Sequence, residues 1–396
     1  MKKTGDMGLY LHVPFCKSKC AYCDFYSLPH QEEKMDDYAR ALTEQLRQMA
    51  PRFAAQEIAT VYFGGGTPSY LGSKRLVKLL GAIKKQYHLQ RDCEITLEAN
   101  PDSIGDAKAL KALKKAGFNR LSLGVQSADD GLLQEIGRIH TWQQAKEAVT
   151  LAREAGFDNV SLDLIYGLPG QTLEHWKKTL EEILRLQPEH LSCYGLKVEE
   201  GTLLSRRDLS QLPDDDAQAD MYLYTVERLE KAGYGQYEIS NFAKEGRESR
   251  HNLRYWQLQE YMGFGPGAHS DVGGVRFACE KDLDAYLRGD WQLSEYEEIP
   301  PLDRDMEYIM LSLRTCRGID AQKFTFTYRQ SFAPMEALLT EYEKHGLARR
   351  TDVGWRLTPR GFFVSNSIIV ALQEAVGKEK ARRMQESFLH DFRVVK

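Results

Sequence analysis

The chain lacks any uninterrupted apolar run approaching the ~18 residues that a membrane-crossing helix requires. It also lacks a basic excess: 53 Lys and Arg stand against 57 Asp and Glu, a formal net charge of −4. Binding to a phosphate backbone rests on such an excess, so nucleic acid is not expected as the main partner. Cysteines are few and odd in number, seven in 396 residues. Three of them (Cys16, Cys20, Cys23) crowd into eight positions. That spacing is foreign to dispersed disulfides and suits a metal or cluster site in a reduced compartment. Low-complexity segments are missing, as is any internal repeat beyond an alternation of strand and helix patterns. Residues 1–7 are basic, but the apolar stretch behind them is short and holds His12. A cleaved signal peptide is therefore not expected, and the cytoplasm is.

What is present is a sizeable core, with 42% hydrophobic and 10% aromatic residues. At roughly 150 residues per domain, the length suggests two or three. Short β-branched and aromatic runs predict strands at 9–13, 59–63, 94–99, 120–125, 160–165 and 190–194. Helical patterns lie between them at 36–49, 73–87, 107–115, 142–155 and 173–186, and Gly117 and Gly156 stand where helices stop. Strand–helix repeats of this kind imply parallel strands with right-handed crossovers. Cys16, Gly64 to Thr67, Glu98, Gln126, Asp163 and Tyr194 all fall at or just past a strand's C-terminal end, the rim where a β/α barrel forms its active site. The expected fold is α/β, a partial (β/α)6 barrel of the TIM type over residues 1–200.

A connecting region is expected over 201–300, with a helix after Asp214-Asp215-Asp216 and another helical segment from Ser249 to about Gly265. Pro300-Pro301 marks a boundary. Residues 301–396 read as a mostly helical, winged-helix-like domain, with Trp355-Arg356-Leu357-Thr358 as its wing. Arg349, Arg350, Arg356 and Arg360 there could touch nucleic acid, but the acidic total favours an ordinary solvated face. The basic tail from Lys378 reads as a peripheral helix.

Cys16-x3-Cys20-x2-Cys23 follows the first strand directly. Three thiolates on one tight loop can hold three irons of a [4Fe–4S] cluster and leave the fourth iron open to a ligand. Zinc is the competing reading, with His12 as the nearest fourth ligand. Phe15 and Tyr22 are placed to pack around such a centre. After the second strand comes Phe63-Gly64-Gly65-Gly66-Thr67-Pro68, whose glycines let backbone approach a ligand closely. Alone it could be a tight turn; beside the cysteine loop it suits an amino acid moiety bound to the open iron. Cys93, Cys193, Cys279 and Cys316 have no ligand spacing and read as buried small hydrophobes.

In these motifs the chain resembles the radical S-adenosylmethionine (SAM) superfamily. The resemblance implies that SAM chelates the open iron, and that the reduced cluster splits it to a 5′-deoxyadenosyl radical. Tyr10-Leu11-His12-Val13-Pro14-Phe15-Cys16, Gly64 to Pro68, Leu121 to Ser127 and Asp163 to Pro169 look like the oxygen-independent coproporphyrinogen III oxidase branch. Members of that branch can hold two SAM molecules. By position, Tyr10, Gly65 and Glu98 match contacts of the first, and Gly66, Thr67, Gln126, Arg138 and Asp163 those of the second. Carboxylates suit ribose hydroxyls or an ammonium, and arginine suits a carboxylate through its planar fork.

Two departures matter. Phe25 stands where oxidases of this branch have a further cysteine, and only nine residues precede Tyr10 where they carry a longer extension. The chain instead resembles the sister group, haem chaperones of the HemW type, whose His-Asn-x-x-Tyr-Trp motif appears as His251, Asn252, Tyr255 and Trp256. On a helix, His251 and Tyr255 share a face, with Arg250 and Arg254 on an adjacent one. Histidine can ligate haem iron, Trp and Tyr can stack on the macrocycle, and arginines can pair with propionates. Tyr10, His269 or a cysteine are alternative ligands, and an ordinary packing histidine is the plain alternative. The resemblance implies a chaperone that binds cluster, SAM and haem and delivers haem to haem-requiring acceptors, some of them membrane-bound. A homodimer is expected on the same ground, and no catalytic residue is assigned. The alternative is an enzyme of porphyrin biosynthesis that oxidatively decarboxylates two propionates of coproporphyrinogen III.

Overall fold

Strands buried on both faces need near-continuous apolar runs, and six segments of this chain have them. In the computed structural model, which describes residues 5–394, they form β1 (Asp6–Val13), β2 (Glu57–Gly65), β3 (His88–Ala99), β4 (Arg120–Gln126), β5 (Val160–Tyr166) and β6 (His190–Gly195). All six are parallel and pair in chain order. Between them run α1 (Met35–Met49), α2 (Ser73–Gln86), α3 (Ala107–Ala116), α4 (Asp130–Glu135), α5 (Trp142–Glu154) and α6 (Leu173–Arg185). This is the expected partial (β/α)6 barrel. Local signals set the helix ends: Thr141 and Gln144 close a capping box on α5, and α3 stops at Gly117 in the left-handed region, φ 115°. β3 starts earlier than its apolar run because His88 and Leu89 still pair with Glu57 and Ile58, before a bulge resets the register.

The region expected to stand apart at 201–300 does not. The described chain divides into two compact units, one comprising residues up to 235, 240–254 and 259–298, the other 236–239, 255–258 and the chain from Ile299 onward. In the first unit, α7 (Asp215–Lys231) follows β6, and β7 (Asn241–Ala243) adds an antiparallel strand to its edge. The helix expected from Ser249 to Gly265 ends early, as α8 (Arg250–Trp256). The next residues form β8 (Tyr261–Phe264), parallel to β1 on its far side. β9 (His269–Val272), β10 (Val275–Cys279) and β11 (Leu293–Glu298) continue antiparallel from there. The helical reading failed because a buried aromatic run looks alike in either periodicity when it is short.

In the second unit, helices Asp305–Ser312, Ala321–Tyr328 and Ala333–Lys344 accompany a small antiparallel sheet of Ile319–Asp320, Gly354–Leu357 and Ala348–Arg350. Trp355 is its buried centre and donates to Glu336 at 2.8 Å. Arg350 lies over the Trp355 ring and pairs with Glu336, while Arg356 donates to the Cys316 carbonyl. Two of the four wing arginines thus serve the fold. The tail from Lys378 continues the helix Ser365–Val394. Residues 1–4 of the basic start and the last two of the tail lie outside the described residues. No described helix is long and apolar enough to cross a membrane.

α6 packs on α7 through Trp176, fully buried, whose indole N–H donates to Thr225 Oγ1 at 2.8 Å. Thr225→Val keeps the shape and strands that donor. We expect the urea midpoint to fall by the equivalent of roughly 1–3 kcal/mol; an unchanged midpoint would show the bond to be dispensable.

Candidate functional site

The cysteine loop is anchored on both flanks. Phe15 is fully buried edge-on to Tyr38, with ring centroids 5.1 Å apart. Ala21 N–H donates to the Ile136 carbonyl at 2.9 Å and Leu28 N–H to the Pro14 carbonyl at 2.7 Å. Tyr22 packs against Leu132, Ile136, Ile165 and Leu168. So held, Cys16, Cys20 and Cys23 line one cavity of about 390 Å³, bordered by residues from β2 to β6. Cys16 Sγ lies 3.4 Å from Thr67 Oγ1.

The glycine turn is tied to this loop by backbone. Gly66 N–H donates to the Val13 carbonyl at 2.9 Å, and Thr67 N–H to the Phe15 carbonyl at 2.7 Å. A Cβ at Gly66 would stand 2.8 Å from the Phe15 oxygen and 3.1 Å from Cys16 Sγ, so only glycine permits the approach. The turn is therefore part of the cysteine site and not an incidental one.

Of the other sequence-predicted residues, Gly65, Glu98, Gln126, Arg138 and Asp163 all line the cavity, whereas Tyr10 is not among its lining residues. Tyr10 bonds His12 at 3.0 Å and stacks on Tyr62. Glu98 accepts from Tyr62 at 2.6 Å, and burial pushes its carboxyl up to about 7. Asp163 is mid-strand rather than at a strand end. It accepts from Ser192 at 2.6 Å, Ser122 at 3.0 Å and Ser161 at 3.3 Å. Burial raises its pKa against the pull of those hydroxyls and of Arg120. Gln126 holds φ 67°, a left-handed backbone unusual for a side chain of its size. Arg138 donates to Asn100 at 2.8 Å and to the Gly124 carbonyl.

Sequence reading missed Tyr62, Asn100, Arg120 and Ser192, all on the cavity wall. Asn100 links Thr67 Oγ1, at 3.1 Å, to Arg138. Its signal was its place, one residue past β3. Arg120, 1% exposed, opens β4 and resembles an ordinary strand-start residue in sequence.

The donor set fits an iron–sulfur cluster. Burial raises the Cys16 and Cys23 thiols, and neighbouring cysteine charge adds to it, so three thiolates there need cationic partners. Among the described residues no three His, Cys, Asp or Glu side chains are gathered closely enough to hold one ion. His12, the candidate fourth zinc ligand, is engaged elsewhere. Its Nε2 lies 2.8 Å from the Tyr26 carbonyl, its Nδ1 meets Tyr10, and burial lowers its pKa to about 4. Cys93, Cys193 and Cys279 are buried, and burial raises all four remaining thiols, Cys316 included, as inert cysteines require.

Residues 10–183 match the radical SAM superfamily and residues 299–364 the HemN C-terminal domain. The haem chaperone HemW of Bacillus subtilis is 36% identical over 371 residues, covering 91% of this chain and 98% of that protein. HemW of Escherichia coli is 34% identical, covering 93% and 98%. The solved structure of the radical SAM enzyme coproporphyrinogen III oxidase (HemN) from Escherichia coli matches with a TM-score of 0.81 at 25% identity, covering 93% of this chain and 90% of that one. The chain belongs to the HemW family of radical SAM proteins.

In this HemW-family chain the His-Asn-x-x-Tyr-Trp segment behaves differently from its sequence reading. His251 is 1% exposed, and its Nδ1 lies 2.7 Å from Thr60 Oγ1. Its ring stacks on Tyr62 at 5.0 Å, and burial lowers its pKa to about 3. It is a packing residue in this conformation, and α8 carries His251 and Tyr255 at the helical i and i+4 spacing. Arg254 is buried on Asp6 and the Glu260 carbonyl, and Arg250 pairs with Asp92, so neither is set for a propionate. Asn252 alone of the motif lines the cavity; Tyr255 and Trp256 belong to the second unit. His269 is half-buried, 3.7 Å from Glu295.

Glu98 yields a signed test. Its folded pKa of about 7 exceeds the unfolded value near 4.3, so stability falls as pH rises through that window and stays lowered above it. Glu98→Gln should gain on the order of 1–3 kcal/mol at pH 8, a gain that shrinks at pH 5. Urea unfolding at both pH values measures it; an equal difference at both would show that the carboxyl does not titrate in this window.

Proposed function

We propose that the chain is a haem chaperone of the cytoplasm that carries a [4Fe–4S] cluster on Cys16, Cys20 and Cys23, binds SAM beside it, and hands haem to haem-requiring acceptor proteins. The observation that carries this reading is end-to-end similarity to haem chaperones, in a chain with Phe25 where the oxidase branch has a further cysteine. Membrane-bound acceptors and a homodimer belong to the same proposal.

When bound, the cluster supplies an open iron for an amino acid moiety and a single electron at low potential. The chain's own residues do the rest. The glycine turn presents backbone at Gly65 and Gly66 to the amine and carboxylate. Tyr62 orients Glu98 towards ribose hydroxyls or an ammonium. Asp163, neutralised in part by its three serines and Arg120, offers a second acceptor. Phe15 and Tyr22 keep water from the cysteine loop. Thr67, Gln126 and Arg138 complete the wall that SAM would meet. Haem is the cargo, and the packed state of His251 means that α8 must shift before that residue could reach iron.

One anaerobic experiment decides: reconstituted protein with reductant and SAM, offered either haem or coproporphyrinogen III. A stoichiometric Soret shift with haem, and no protoporphyrinogen formed, is the expected result. Turnover of coproporphyrinogen III would defeat the chaperone reading in favour of the oxidase. Cys20→Ser should lose the brown colour and most of its iron; retention of full iron content would overturn the ligand assignment.

A further inference from the structure

The three cysteines do not face equal surroundings. Cys16 meets a neutral hydroxyl, Thr67 Oγ1, at 3.4 Å. Cys20 meets a cation: Arg138 Nη1 lies 3.5 Å from its sulfur. The guanidinium is fixed in that pose. Its Nη2 donates to Asn100 Oδ1 at 2.8 Å and to the Gly124 carbonyl, and the residue is 9% exposed. Its Nε is buried with no hydrogen-bond partner among the described residues. The family resemblance assigns Arg138 to a SAM contact. Here two acceptors already fill one nitrogen of its fork, and the other is left pointing at Cys20.

We propose that Arg138 is a positioning residue for the cluster, raising its reduction potential through a charge-assisted hydrogen bond to the Cys20 thiolate. The inference rests on the reading that these cysteines hold a [4Fe–4S] cluster. Reduction by one electron adds negative charge to a centre already made anionic by its thiolates. A fixed guanidinium in a buried cavity lowers the cost of that charge, and hydrogen bonds to the sulfurs act in the same direction. Thr67 on Cys16 supplies a dipole alone, so the larger effect falls on Cys20.

The test is a redox titration of the anaerobically reconstituted full chain with a low-potential one-electron reductant, followed by electron paramagnetic resonance. Iron and sulfide are counted in parallel. At the wild-type midpoint, Arg138→Gln should show a reduced-to-oxidised ratio at least tenfold lower, a shift of 59 mV or more for a one-electron couple. Arg138→Lys keeps the charge without the fork and should fall between. Equal midpoints in wild type and a fully loaded Arg138→Gln overturn the proposal. If the glutamine variant does not fold, a loaded Arg138→Lys with an unshifted midpoint overturns it instead. A purely structural role would change iron content and leave the potential of the loaded fraction unmoved. Wild-type protein that takes up no iron and sulfide removes the cluster reading, and this inference with it.

Discussion

Two backbone hydrogen bonds hold the site together, Gly66 N–H to the Val13 carbonyl and Thr67 N–H to the Phe15 carbonyl. They fasten the end of β2 to the loop that leaves β1, so that a glycine turn and three cysteines share one wall. Side-chain bonds could not do this as rigidly, because the turn must come within van der Waals distance of Cys16. Close approach of two backbones is what forces glycine here. The remaining cavity residues are arranged around that fixed corner.

Charge in the cavity is balanced without being cancelled. Burial alone would drive Glu98 and Asp163 to the neutral form, and Arg120 pulls both back. Asp163 gathers three serine hydroxyls, and Glu98 the Tyr62 hydroxyl. Glu98 is thereby held near ionisation at neutral pH, and Asp163 is raised by burial while its hydroxyl partners and Arg120 pull it back.

Much of this was legible in the residues themselves. Six parallel strands follow from apolar runs separated by amphipathic helices, and the cysteine spacing and glycine turn announce their chemistry at once. What stayed hidden was tertiary. Tyr62, Asn100 and Arg120 look like ordinary strand and loop residues until the barrel brings them to one wall. The strand at Tyr261–Phe264 was read as helix because four apolar residues carry no period of their own. The separate connecting region dissolved because its strands extend the first sheet, a pairing that no local pattern encodes.

The buried histidine of α8 is linked to the cavity through other side chains. Glu94 on β3 accepts from the backbone N–H groups of Arg250 and His251, holding the start of α8 against the barrel. The His251 ring then stacks on Tyr62, and its Nδ1 meets Thr60, both on β2. Tyr62 in turn donates to Glu98 on the cavity wall. Tyr62 thus joins the histidine of the motif to the Glu98 carboxylate of the cavity wall through one ring stack and one hydrogen bond.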